Sequence, residues 1–220
     1  MNKTVYALHT GPVLVDVLKQ LFSELLPEAR LVNIVDDGLL TDVRAAGGLT
    51  PALRRRTVGY GLIAEASGAD AILNCCSSVG EAADVLATLV TIPLVKIDDK
   101  MAEAAVSQGA RIAVLATVAT TLDPTERLIH RKAEQAGRKI KTTRFLADSA
   151  FDALLSGNTQ QHDGIVKAEI ERAMTDHDVV VLAQGSMARL VPQVQSVSNV
   201  PVLSSPRLGV LALREALELA

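Results

Sequence analysis

The chain has 220 residues, 49% of them hydrophobic, which is enough to build the core of one large domain or of two smaller ones. Its net charge of −3 and its aromatic content of 2% exclude a basic surface with stacking rings, so we expect no nucleic-acid partner. No apolar run approaches the roughly 18 residues of a membrane span, and the first residues, MNKTVYALHT, lack the features of a signal peptide, so we expect no membrane partner.

Short runs rich in β-branched residues alternate with longer segments that have helical spacing. The predicted strands are, in chain order, KTVYALH, ARLVNIV, DAILNC, IPLVKI, ARIAVLAT, KIKTTRFL, DVVVLAQ and VPVLSS. The first predicted helix, GPVLVDVLKQLFSELL, follows the first strand. Strands that alternate with helices favour parallel sheets covered on both faces, so the predicted fold class is α/β.

The same alternation contains an internal repeat. TVYALHT, which ends at Thr10, resembles RIAVLAT, which ends at Thr117. Cys76 corresponds to Gln184 in the same way, and the spacing of the two pairs agrees within one residue. We therefore predict two pseudo-symmetric α/β halves that face each other across a cleft. The first comprises residues 1–98 with a helix over 206–220, and the second comprises residues 99–205.

Ligands of open parallel sheets bind beyond the carboxyl ends of the strands, and we expect these ends of both halves to meet at the cleft. The side chains there are rich in hydroxyl groups and form no metal-ligand cluster, so a small polar anion is expected and a metal is not. Asp36 and Asp37 could pair for proton transfer, or one of them could cap a helix. The predicted substrate-binding residues are His9, Thr10, Asp36, Ser77, Ser78, Thr117, Thr120, Thr121 and Ser205.

Both cysteines of the chain lie together, where a predicted strand gives way to a helix. Having no disulfide partner elsewhere, they fit a reducing compartment, so we expect a cytoplasmic protein. Ser78 and Glu81 have the spacing of a capping box, and a helix start beside Cys76 would favour a thiolate. Cys75 should point to the opposite face, into a helix layer. Alternatively, both cysteines are merely small buried hydrophobes.

Four segments, NIVDDGLL, NCCSSVGEAAD, RIAVLATVATTLDPT and VVLAQGSMARL, together resemble the aspartate/glutamate racemase superfamily. That group includes amino-acid and hydantoin racemases, maleate isomerase and arylmalonate decarboxylase. The resemblance implies a small carboxylate substrate bound between two α/β domains, no cofactor and a homodimer. It also makes Cys76 the catalytic thiol, since the family places a cysteine from each half beside the reacting carbon.

The sequence departs from this pattern in the second half, where Gln184 stands at the place of the second cysteine and Ser186 follows two residues later. Glutamine cannot exchange a proton, and serine does so only when it is activated. We assign Cys76, Ser186 and Gln184 to the catalytic set of a cofactor-independent isomerase or racemase. The alternatives are a single-thiol decarboxylase, cis–trans isomerase or tautomerase, and a two-lobed protein that only binds a small molecule.

Overall fold

A computed structural model of the chain describes residues 3–196 and 198–218. The strands are β1 Lys3–His9, β2 Ala29–Val35, β3 Ala71–Asn74, β4 Leu94–Lys96, β5 Arg111–Ala116, β6 Lys141–Leu146, β7 Val179–Leu182 and β8 Val202–Ser204. The helices are α1 Val15–Leu25, α2 Leu39–Ala45, α3 Pro51–Ala66, α4 Gly80–Leu86, α5 Asp99–Gln108, α6 Ala119–Gln135, α7 Asp148–Leu155, α8 Thr159–Met174, α9 Val191–Gln195 and α10 Ser205–Ala216. Every predicted strand segment contains one of these strands.

The strands form two four-stranded sheets in which every pairing is parallel, so the predicted α/β class is confirmed. The strand order is β2-β1-β3-β4 in the first sheet and β6-β5-β7-β8 in the second. These are the same order, as the internal repeat predicts. The chain divides into unit 1, which ends at Ile97 and takes in the segment from Pro206 onward, and unit 2, which runs from Asp98 to Ser205.

The sheet of unit 1 buries both of its faces, because its strands carry apolar residues at successive positions. On one face Ala7 and Leu73 pack against α1 and α10. Helix α10 contributes Val210 and Leu213 to this cluster. On the other face lies a second cluster with α3 and α4, formed by Leu8, Ala64, Ile72 and Leu86 with partly buried neighbours. Successive residues of one strand therefore pack against different helix layers.

Helix α10 approaches the end of β4 very closely at Gly209. A Cβ atom built on this glycine would lie 2.8 Å from the Ile97 carbonyl oxygen and 2.9 Å from the Ile97 Cα. No side chain fits at such a distance from backbone atoms, so the missing side chain of Gly209 lets the helix reach this depth in the unit 1 core.

Unit 2 has a corresponding core on one face of its own sheet. Leu115 of β5 and Leu182 of β7 are neighbours in the sheet and pack against Val166 and Ile170 of α8. A 3₁₀ helix over Gly185–Leu190, which follows β7, adds Met187 and Leu190 to this cluster. The side chains of Met187 and Leu190 thus anchor this turn to the core of unit 2.

Candidate functional site

The predicted site residues of unit 1 all lie where strands of its sheet end. The backbone beyond each of the two strands beside β1 bonds back to it, since the Asp36 N–H donates to the His9 carbonyl (3.0 Å) and the Cys75 N–H donates to the Leu8 carbonyl (3.0 Å). The ends of three neighbouring strands are therefore tied together. They carry His9 and Thr10 after β1, Asp36 after β2, and Cys76, Ser77 and Ser78 after β3.

The two cysteines differ in their surroundings, as the alternation of side chains along a strand predicts. Cys75 is 7% exposed and belongs to the core cluster on the α1 and α10 face. Burial, and secondarily the neighbouring Cys76, raises the pKa of the Cys75 thiol well above its usual range. Cys76 is partly exposed and packs against the cluster of Leu39, Val43 and Val79 on the other face. The Cys75 thiol is thus buried, and the Cys76 thiol is left partly exposed.

Asn74 fixes the backbone beside Cys76, a role that the sequence analysis missed. This last residue of β3 is 1% exposed, and its Nδ2 donates to the Cys76 carbonyl oxygen at 3.1 Å. Cys76 itself has extended backbone angles (φ −143°, ψ 122°). The signal that could have revealed Asn74 is an amide that ends an otherwise apolar strand, because such a buried polar group needs a partner.

The capping box predicted from Ser78 and Glu81 is wrong. A 3₁₀ helix occupies Ser77–Val79, and α4 begins only at Gly80, with Val79 at its N-cap position and no side-chain cap bond. The tight 3₁₀ turn takes up the residues that would have preceded an α-helical cap. Ser77 and Ser78 are buried in the first turn of this helical segment, where N–H groups lack intrahelical acceptors and favour an anion.

Asp36 is part of a brace that holds α2 in place. Its two carboxylate oxygens accept hydrogen bonds from Arg56 and from the Tyr60 hydroxyl, both at 2.6 Å, and Arg56 also bonds Asp42 of α2. Burial alone would raise the pKa of Asp36, but these hydrogen bonds outweigh it and lower the pKa. Gly38, and neither Asp36 nor Asp37, is the N-cap of α2, so the predicted aspartate cap is wrong.

His9 lies on the sheet face that buries Cys75. Leu8 pairs with Asn74 in the parallel register, so the next residues of the two strands, His9 and Cys75, share a face. His9 Nε2 is 2.8 Å from Asn33 Oδ1, and burial lowers the pKa of the imidazole despite this bond. Because an amide oxygen only accepts, Nε2 carries a proton and donates it to Asn33. Thr10 is buried directly after it.

In unit 2, Gln184 makes contacts that a cysteine could not make. Its Oε1 accepts hydrogen bonds from the backbone N–H of Thr117 (2.5 Å) and from the Thr117 hydroxyl (3.2 Å). A backbone N–H can only donate, so the carbonyl end of the amide must face Thr117 and the NH₂ end must point away. Gln184 therefore ties the end of β7 to the end of β5.

The other predicted residues of unit 2 also follow strand ends. Thr120 and Thr121 lie in the first turn of α6, after β5, and Thr121 is buried. Ser186 is partly exposed in the 3₁₀ helix Gly185–Leu190, after Gln184. Ser205 is buried directly after β8. The predicted site residues thus form two groups, one at the strand ends of each unit.

Two further properties concern only the residues that the structure describes. Among them, no three His, Cys, Asp or Glu side chains come together in a way that could hold a metal ion. No helix within residues 3–196 and 198–218 combines the length and the apolar character needed to cross a membrane.

The contrast between the two cysteines leads to a prediction about thiol reactivity. Brief iodoacetamide treatment at neutral pH should label Cys76 first, because the buried Cys75 has a raised pKa and is screened from reagent. Peptide mass mapping measures the label at each position. Denatured protein, in which both thiols are exposed, is the control and should be labelled at both. Label that accumulates first on Cys75 in the native protein would reverse the assignment.

The family model described as Asp/Glu/Hydantoin racemase matches residues 37–213 of the chain. Aspartate racemase from Picrophilus torridus has a similar structure, with a TM-score of 0.74 and 16% identity over 98% of this chain and 94% of that one. Glutamate racemase from Francisella tularensis, solved with D-glutamate, has a TM-score of 0.75 and 14% identity over 99% of this chain and 81% of that one. Allantoin racemase from Klebsiella pneumoniae has a TM-score of 0.69 and 15% identity over 99% of this chain and 89% of that one. No curated protein sequence matches significantly.

Proposed function

Because the chain belongs to the Asp/Glu/hydantoin racemase family and is an isomerase of that family, we propose that it moves a proton at the carbon next to the carboxylate of an amino acid or a related small acid. We propose Cys76 as its acid–base group, with no cofactor. The observation that carries this proposal is the contrast between the two thiols, since only Cys76 combines partial exposure with a position at the strand ends. A homodimer, which the family resemblance implies, and a cytoplasmic location, which the cysteine usage of the sequence favours, are part of the same proposal.

The chemistry begins with capture of the substrate carboxylate. Backbone N–H groups of the 3₁₀ turn and the hydroxyls of Thr10, Ser77 and Ser78 donate to its oxygens. The Cys76 thiolate removes the proton from the adjacent carbon, and the electron pair of that C–H bond moves onto the carboxylate as an enediolate. The same donors stabilise the added negative charge, and losing one such donor typically costs about 3 kcal/mol of activation free energy. A proton returned to the carbon completes the cycle.

Inversion needs a proton from the opposite face of the carbon, and we propose the Ser186 hydroxyl as its source; water then returns a proton to Ser186, and Cys76 releases the substrate proton to solvent. We include Gln184 in the proposed site because the internal repeat makes it the counterpart of Cys76. Its carbonyl is occupied by Thr117, so its NH₂ group remains to donate a hydrogen bond to the substrate. In this role Gln184 orients the substrate and exchanges no proton. Thr117, Thr120, Thr121 and Ser205 supply hydroxyls, and His9 and Asp36 hold the strand-end loops of unit 1.

Gln184 also supports a second candidate function. If Cys76 is the only group that exchanges protons, the enzyme handles one face of the substrate and acts as a tautomerase, a cis–trans isomerase or a decarboxylase that protonates the resulting enediolate. Both functions use the same thiol and the same carboxylate contacts, but they differ in stereochemistry, and a decarboxylase also breaks a carbon–carbon bond and releases carbon dioxide.

Proton exchange in deuterated water tests the proposal. Separate enantiomers of aspartate, glutamate and allantoin are incubated with the enzyme, and deuterium incorporation and optical rotation are followed. Racemisation predicts label and inversion from both enantiomers of one acid, whereas single-thiol chemistry predicts label from one enantiomer without inversion. Cys76→Ala is the control that should abolish the label. Exchange that persists in this variant, or no exchange of any acid together with two inert thiols, would reject Cys76 as the acid–base group.

A further inference from the structure

A charged cluster in unit 2 lies outside every role described so far. His162 in α8 is 0% exposed, and its Nδ1 lies 2.8 Å from Oδ1 of the adjacent Asp163. The other carboxylate oxygen of Asp163 pairs with Nη1 of Arg189, and Nη2 of Arg189 is 3.3 Å from His162 Nδ1. Helix α8 begins at Thr159 with Asn158 as its side-chain cap, so both His162 and Asp163 lie inside the helix.

The geometry decides where the proton of His162 resides. A carboxylate only accepts hydrogen bonds, so Nδ1 at 2.8 Å from Asp163 must carry the proton. Nε2 is buried and has no hydrogen-bond partner among the described residues. Burial alone would raise the pKa of Asp163, but hydrogen bonds from Arg189 and His162 outweigh it and lower the pKa. The cluster is therefore an ion pair of Asp163 and Arg189 oriented by a hydrogen bond from His162 Nδ1 to Asp163.

This ion pair connects α8 to the turn that follows β7. Arg189 belongs to the 3₁₀ helix Gly185–Leu190, which contains Ser186 and begins directly after Gln184. Met187 and Leu190 hold the same turn in the core, and the charge-assisted bond from Arg189 to Asp163 adds a directional attachment. We propose that Asp163 and Arg189, oriented by His162, are positioning residues that fix the turn carrying Gln184 and Ser186.

The catalytic part of this inference rests on the proposed function, whereas the structural part does not. The Arg189 side chain is 41% exposed, and exposed ion pairs contribute little to global stability. Breaking the pair should therefore act mainly on the local structure and make the turn Gly185–Leu190 less ordered. That separates a positioning role from a purely structural one.

The test compares Asp163→Asn with Glu169→Gln, a matched change of an acid to its amide on the same helix. Glu169 pairs with Arg172, one turn further along the same helix. Hydrogen exchange followed by mass spectrometry should show peptides over residues 184–190 exchanging several-fold faster in Asp163→Asn and unchanged in Glu169→Gln. Arg189→Gln should reproduce the effect, Arg189→Lys should restore part of the protection, and the double variant Asp163→Asn/Arg189→Gln should be no worse than either single change.

Activity provides the second readout, with the acid that exchanges fastest in the deuterium experiment. Asp163→Asn should lower kcat on the order of 10- to 100-fold with little change in KM, because a small misplacement of the reacting groups costs rate more than binding. Unchanged exchange over residues 184–190 would overturn the inference whatever the activity. Faster exchange with unchanged kcat would keep the positioning of the turn but remove Gln184 and Ser186 from the proposed function.

Discussion

Cys76→Ala is expected to lower turnover by about 10²- to 10⁴-fold, the range that general acid–base groups contribute, and Cys75→Ala is expected to leave it nearly unchanged. The two variants remove the same atom from neighbouring positions. Only Cys76 is partly exposed at the strand ends, whereas the Cys75 Sγ lies in the core and contacts the Leu73 carbonyl at 3.5 Å. Steady-state rates on the best substrate of the deuterium panel measure the difference.

Stability should respond in the opposite sense. Cys75→Ala removes a buried atom and should lower the free energy of unfolding by about 1 kcal/mol, while Cys76→Ala should change it less. Chemical denaturation of both variants therefore serves as the control for the kinetic comparison. Equal loss of activity in the two variants, or a fully active Cys76→Ala, would contradict the assignment of the thiol.

Gly209→Ala is expected to destabilise the protein by about 1–3 kcal/mol, the usual cost of forcing an extra carbon into a packed core. The new Cβ would lie under 3.0 Å from the carbonyl oxygen and the Cα of Ile97, and backbone atoms cannot turn aside as a side chain can. Helix α10 would have to shift away from the end of β4. Chemical denaturation measures the change in unfolding free energy.

The matched control for this variant is Gly59→Ala in the interior of α3. Nothing lies within 4 Å of a Cβ at Gly59, so the substitution adds only helix propensity and should stabilise the protein by up to about 1 kcal/mol. A Gly209→Ala variant as stable as the wild type would show that α10 can shift without cost, and would contradict the close packing.

The predictions from sequence succeed where a regular period controls the outcome. Alternation along β3 is sufficient to place Cys75 in the core and Cys76 on the other face. The internal repeat likewise predicts two sheets of equal strand order, because apolar runs at matching spacing build matching strands. Both inferences depend only on local geometry that any strand must obey.

The failures come from contacts between segments that are distant in the sequence. Nothing near Asp36 reveals that Arg56 and Tyr60 occupy both of its oxygens, since twenty or more residues separate the partners. Asp163 likewise pairs with Arg189, 26 residues away. The capping box at Ser78 fails for a local reason, because a 3₁₀ turn and an α-helical start share the same sequence signals.

The placement of α10 in the unit 1 core imposes an order on biosynthesis. Val210, Leu213 and Leu217 complete a cluster whose other members lie within the first 97 residues, whereas the cluster of unit 2 draws only on residues 113–202. A ribosome therefore delivers everything that the later unit needs before it delivers the last piece of the earlier one. The unit begun first is finished last, and until then its nascent sheet has one apolar face without part of its cover, the kind of surface that chaperones bind.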